Sequence, residues 1–229
     1  MGTPFSPTRK EVEQYRRLRA LSRDLNSKMI TTVPHQAYDD IGDALGILRD
    51  GTLVFETEDM SGVFMDCCLY DWFENGKNLV RRYAETHPAK PGTGESCLLN
   101  AFTRAKYRIL LVKSAVPEAG VYCHDILADE DLFLMDMAFS RIPNSAGAML
   151  ATRTMPLGEY WMTGGAALPV NNPKAVRRAL DGVEDRERKS FEDPDSVALF
   201  VVRACLATGA AGHIRYEGGE REPRKPRRR

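Results

Sequence analysis

Ala105-Lys106-Tyr107-Arg108-Ile109-Leu110-Leu111-Val112 opens the stretch that decides the fold, and Leu168-Pro169-Val170 closes it. Between them, short apolar runs are cut by Pro117-Glu118-Ala119-Gly120, Ala128-Asp129-Glu130-Asp131, Asn144-Ser145-Ala146-Gly147 and Leu157-Gly158-Glu159. Turn chemistry at that spacing predicts about five strands, which fit a small antiparallel barrel or a curled sheet over residues 106–170. Gly164-Gly165, late in the last of these strands, reads as a bulge or tight bend.

The flanking sequence is helical in period. Thr8-x-x-Glu11 is a capping box, and behind it Val12, Tyr15, Leu18, Leu25 and Met29 form one apolar stripe on a charged helix. The residue before Pro34 is disfavoured in a helix, which ends this element and sets off residues 1–34 as an amphipathic N-terminal helix. Residues 35–105 read as a helical part. Its centre is residues 58–75, where Met60, Val63, Phe64, Cys67, Cys68, Leu69, Tyr70, Trp72 and Phe73 are apolar over much of the helix circumference. Residues 171–215 carry C-terminal helices, and residues 216–229 form a disordered basic tail almost without apolar side chains. No internal repeat is visible. The fold class is α+β: a helical N-terminal part, the small barrel, and C-terminal helices.

Of the 229 residues, 43% are hydrophobic, enough for one good core or two small ones. No run approaches the roughly 18 apolar residues that span a bilayer, since even residues 197–206 include Arg203. Residues 1–19 are charged and polar where a secretory signal has an apolar core, so a cytoplasmic location with no membrane contact is expected. The five cysteines, Cys67, Cys68, Cys97, Cys123 and Cys205, form no C-x-x-C pair and read as reduced, mostly buried thiols.

The net charge is zero, but it is unevenly placed. Residues 9–28 hold seven basic and three acidic side chains, and residues 221–229 hold six basic and one acidic, which leaves 19 basic and 28 acidic side chains for the rest. An acidic body thus carries two basic ends. Arg221, Arg224, Lys225, Arg227, Arg228 and Arg229 are the candidate polyanion contacts, because each cation on a mobile arm displaces counterions from phosphates without needing a fixed groove. RNA, a ribonucleoprotein or an acidic protein surface would suit such an arm. Solvated basic tails with no dedicated partner are also common.

Other chemistry is sparse. Glu56, Asp59 and Asp66 are the candidate metal ligands: Asp59 and Asp66 lie seven residues apart on one helix face, where carboxylate oxygens hold a divalent cation. The same acids near a helix start also suit the helix dipole, with Thr57 as a cap. His124 and Asp125 sit side by side in a strand, so they point to opposite faces and form no dyad. Arg108, Lys113 and Arg153 are interleaved with Tyr107, Tyr122, Phe133, Tyr160 and Trp161, a composition that serves either base stacking or a barrel core. Gly92, Gly94, Gly164 and Gly165 lack the Lys-Ser or Lys-Thr of a phosphate loop, and no cofactor is expected.

Residues 44–55, with Glu58-Asp59-Met60 and Met65-Asp66-Cys67-Cys68-Leu69-Tyr70-Asp71, and the barrel phrases Gly147-Ala148-Met149-Leu150-Ala151-Thr152-Arg153 and Gly164-Gly165-Ala166-Ala167-Leu168-Pro169, resemble a family of uncharacterised bacterial proteins of planctomycete type. The resemblance spans residues 37–170 and implies a bacterial cytoplasmic setting; it carries no catalytic residue. The leading functional expectation is a non-enzymatic binding or adaptor protein whose basic tail contacts RNA or another polyanion. The alternatives are a metal-dependent hydrolase built on Glu56, Asp59 and Asp66, and a structural homo-oligomer assembled through the helix that begins at Thr8.

Overall fold

The computed structural model describes residues 5–57, 60–181, 197–210 and 215–216. The chain begins with α1 (Arg9–Ile30) and α2 (His35–Leu45). A hairpin of β1 (Leu48–Arg49) and β2 (Thr52–Leu53) leads to α3 (Met60–Tyr70), and a second hairpin of β3 (Phe73–Glu74) and β4 (Lys77–Asn78) leads to α4 (Leu79–Thr86) and α5 (Gly94–Thr103). The barrel strands are β5 (Lys106–Val116), β6 (Gly120–Asp125), β7 (Glu130–Met135), β8 (Met149–Leu157) and β9 (Tyr160–Pro169), with the short α6 (Met137–Ser140) between β7 and β8. After these come α7 (Pro173–Asp181), α8 (Ala198–Ala207) and β10 (Arg215–Tyr216).

The α+β architecture expected from the sequence is present, and the strands close into a five-stranded barrel in the order β5-β6-β7-β9-β8, with β8 returning to β5. The expectation of a wholly antiparallel barrel is corrected, because β7 and β9 run parallel through Leu134↔Trp161 and Met135↔Met162. The cause is topological: a closed ring with an odd number of strands cannot alternate direction all the way round, so one neighbouring pair must be parallel. Here the mismatch falls where α6 and its loop carry the chain across the barrel end from β7 to β8. Just beyond the parallel pair, β9 bulges. Thr152 pairs with Ala167 and Thr154 with Thr163, so residues 164–166 face Arg153 alone, with Gly165 at φ 115°. Such a bulge bends and twists its strand.

Two layers of core result from the strand alternation. Leu110, Val112, Val121, Cys123, Leu132, Leu134 and Leu150 fill the barrel interior. The outward side chains Ile109, Phe133, Met135, Ala151, Met155, Met162 and Leu168 join the helices in a larger core. Gly120 is needed where β6 meets β7, because a Cβ there would overlap the Leu134 carbonyl.

In α1 the capping box is complete: Thr8 Oγ1 accepts from the Glu11 backbone N–H, and Glu11 accepts from the Thr8 N–H at 2.7 Å. Its stripe is consumed within the chain, with Tyr15, Leu18, Leu25 and Met29 buried as α1 packs on α3, α4 and α5. The helix expected over 58–75 is shorter, α3 ending at Tyr70. Asn75 and Gly76 have φ of 55° and 74° and turn the second hairpin, as Asp50 and Gly51 (50° and 74°) turn the first. Asn-Gly and Asp-Gly pairs favour this left-handed geometry. The structure therefore contains a repeat that the residue identities conceal: a helix followed by a two-residue hairpin, starting at Leu48 and again at Phe73.

Candidate functional site

Three places gather polar chemistry. The first is the junction between α3 and the barrel. Arg153 points outward from β8 into the helical core and is 4% exposed. Its Nε donates to Asp66 at 2.8 Å and its Nη2 to Asp71 at 2.5 Å, while the guanidinium lies 4.4 Å from the Tyr70 ring centre and 5.2 Å from that of Tyr107. The length of α3 sets this clamp, placing Asp66 in its last turns and Asp71 just beyond its end. Gly164 leaves room for Asp66, whose Oδ1 would lie 3.2 Å from any Cβ there. Burial pushes the Asp66 carboxyl above its ordinary range, and the adjacent Arg153 charge pulls part of that back. Burial opposes the charge on Arg153, but Asp66 and Asp71 reverse this and hold its pKa above that of a free arginine. Burial also raises the Cys67 thiol well above its normal value, with Asp71 and Asp66 adding to the effect. A cation satisfied on two sides and a thiol kept protonated form a structural clamp with no poised nucleophile.

The second place is inside the barrel. Arg108 on β5 bonds to Asp125 on β6, to Glu130 on β7 at 2.7 Å and to Thr154 on β8 at 3.0 Å, and it stacks 4.2 Å from the Trp161 ring centre. One guanidinium thus ties together four strands and the aromatic ring of the fifth, closing this end of the barrel.

The third is the opposite end, which is open. Beyond Met135 the chain leaves β7, and α6 with residues 141–148 arches over the mouth. A cavity of about 440 Å³ lies beneath the arch. Leu134, Phe139, Ile142, Met149, Leu150 and Leu168 supply much of its apolar wall, and Asp136, Asn144, Ser145 and Thr163 its polar side chains. Asp136 caps α6: its Oδ1 accepts from the Phe139 N–H at 2.8 Å, and its Oδ2 accepts from the Thr163 hydroxyl at 3.2 Å. Arg19 of α1 donates to the Thr163 carbonyl at 2.6 Å, fixing the β9 edge between β7 and β10. The arch is laced to β5 by Gly147 N–H to Val112 O at 2.8 Å and Val112 N–H to Ala148 O at 2.9 Å. The Ser145 hydroxyl is buried without a hydrogen-bond partner.

The residues singled out in the sequence are scattered among these places. Arg221, Arg224, Lys225, Arg227, Arg228, Arg229 and Asp59 lie outside the described residues. Glu56 is exposed, while Asp66 is turned inward onto Arg153. Among the described residues, no three His, Cys, Asp or Glu side chains group in a way that could hold a metal. Arg108 is buried inside the barrel and Arg153 between the barrel and α3, Phe133 and Tyr160 are buried, and exposed Lys113 bonds to Asp131, so these residues build the core and its ties instead of a stacking platform. His124 and Asp125 take opposite faces as expected, Asp125 inward to Arg108 and His124 outward to Asp131 at 2.8 Å. Cys67, Cys68, Cys123 and Cys205 are buried and Cys97 is exposed. The mouth cavity was not legible in the sequence, because its walls come from two stretches, residues 134–150 and 163–169, that only the tertiary fold sets against each other. The turn residues Asn144-Ser145-Ala146-Gly147 were its only local signal.

A closed mixed barrel clamped to a helical layer, with a cavity at one mouth, defines the structural class. Residues 9–197 match the Family of unknown function (DUF7986), and the chain belongs to that family. No curated protein and no solved structure matches it. Among the described residues, no helix is long and apolar enough to cross a membrane.

Proposed function

We propose that this protein is a non-enzymatic binding or adaptor protein of the bacterial cytoplasm, and that its C-terminal arm, Arg221, Arg224, Lys225, Arg227, Arg228 and Arg229, contacts RNA. The observation that carries this is the segregation of charge: six cations and one acid within residues 221–229, against an acidic excess over most of the rest. The interior supports it. The inward-facing carboxylates Asp66, Asp71 and Asp125 are each bonded to an arginine, and burial pushes the Cys68, Cys123 and Cys205 thiols up to about 12, so the carboxylates are engaged within the chain and these thiols are not poised as nucleophiles. A body with surplus acid repels a polyanion, and of its two basic ends the C-terminal arm has the higher density of cations, six in nine residues. A hydrolytic centre on Glu56, Asp59 and Asp66 is disfavoured, because Asp66 already meets a cation of its own chain.

Fluorescence anisotropy with a labelled single-stranded RNA, comparing the intact chain with one lacking residues 221–229, tests this. The intact chain binds at low salt, and the truncated chain binds more weakly with a flatter dependence of log K on log salt, by about 0.7 for each phosphate contact removed. Equal affinities and equal slopes refute the role of the arm, and an intact chain that ignores RNA but binds an acidic protein surface reassigns its partner.

A further inference from the structure

The cavity at the barrel mouth is independent of the basic arm and has the features of a built site. Its volume of about 440 Å³ falls within the roughly 300–1,000 Å³ typical of small-molecule pockets. Its walls are preorganised: α6 is capped by Asp136, the arch is bonded to β5 on either side, and the β9 bulge at residues 164–166 turns Gly165 toward the opening. Its polar content is asymmetric. Ser145 is 5% exposed, lines the cavity, and has a hydroxyl bonded to nothing in the chain. A buried hydroxyl without a partner is costly, and a ligand that brings a partner recovers that cost. The charged side chain in the lining is Asp136, a carboxylate, which opposes an anionic ligand. Apolar walls from Leu134, Phe139, Ile142, Met149 and Leu168 favour a ring or a short hydrocarbon body.

We propose that the barrel mouth binds a small, neutral, largely apolar molecule that bears a hydroxyl, with its hydrocarbon body under the α6 arch and its hydroxyl bonded to Ser145. The ligand enters past residues 141–148, and its hydroxyl both donates and accepts, as Ser145 does.

Three probes of matched shape separate the elements of this proposal: 2-naphthol, 2-methylnaphthalene and 2-naphthoate, titrated into the full chain and followed by amide chemical shifts. 2-Naphthol shifts resonances in residues 134–150 and 163–169, 2-methylnaphthalene binds the same place about fivefold more weakly, and 2-naphthoate does not bind. In Ser145→Ala the first two probes bind equally, because the hydroxyl has lost its partner. Ala167→Phe, which places a ring in the cavity, abolishes binding while a melting curve reports on its fold. If that variant does not fold, the Ser145→Ala comparison still decides. No shift with 2-naphthol at its solubility limit, shifts centred elsewhere, or equal binding of 2-naphthoate would each overturn the proposal. None of these outcomes depends on whether residues 221–229 bind RNA.

Discussion

Replacing Arg153 by methionine should be among the most destabilising single changes in the protein, and its cost should depend on pH. Methionine keeps an unbranched chain but removes the cation that Asp66 and Asp71 share at the junction. The side chains of Arg153, Asp66 and Asp71 are 5%, 13% and 2% exposed, so water cannot replace the lost partner. Breaking a buried pair from one side costs about 3–5 kcal/mol. For a chain of this size that lowers the melting temperature by roughly 10 °C. The sign of the pH dependence follows from Asp66. Its folded pKa is already raised by burial, so its contribution favours folding in acid and is lost as pH rises through the folded value. Arg153→Met removes the charge and the hydrogen bond that oppose this rise, and the pKa climbs further. The deficit should therefore be full near pH 7 and smaller at about pH 5, because Asp66, its raised pKa no longer opposed by the Arg153 charge, takes up a proton more readily as pH falls. Urea unfolding followed by circular dichroism at those two pH values measures it. Adding Asp66→Asn and Asp71→Asn to Arg153→Met should restore more than half of the loss at neutral pH, since no buried charge is then left unpaired. A deficit below about 1 kcal/mol, one that is the same at both pH values, or a triple variant no better than the single one would refute the clamp.

Thr8→Ala should cost about 1 kcal/mol in urea unfolding, because it removes the hydroxyl that accepts from the Glu11 N–H and bonds to the Glu11 carboxylate. Gly120→Ala should cost about 3 kcal/mol and weaken hydrogen-exchange protection along β6 and β7, since the added Cβ meets the Leu134 carbonyl; a stability change near zero would contradict the close approach. In the folded protein a thiol reagent should label Cys97 rapidly and leave Cys67, Cys68, Cys123 and Cys205 unreacted until denaturant is added, and fast labelling of a second site would disprove the packing of that cysteine.

The pattern of five apolar runs, the capping box at Thr8, the turns at residues 117–120, 128–131, 144–147 and 157–159, and the opposite facing of His124 and Asp125 are set by local chemistry, and the sequence alone determined them. The two short hairpins were not read from it: the apolar period through residues 58–75 suggested helix as far as residue 75, and it is the folded chain that shows the left-handed preference of Asp50-Gly51 and Asn75-Gly76 winning at both turns. The parallel pair was in principle available from counting, once closure of an odd ring was granted. Closure itself depends on β8 reaching β5 and β9 reaching β7, which no local preference encodes. The roles of the arginines were likewise decided only in three dimensions. Composition left Arg108 and Arg153 open to either base stacking or a barrel core; strand alternation sends one into the barrel and the other into the helical core, where carboxylates distant in sequence make their burial tolerable. The mouth cavity is the clearest case: it exists because an arch, a bulge and a strand end fail to fill the same volume, and that is a property of packing among segments that no single stretch of sequence contains.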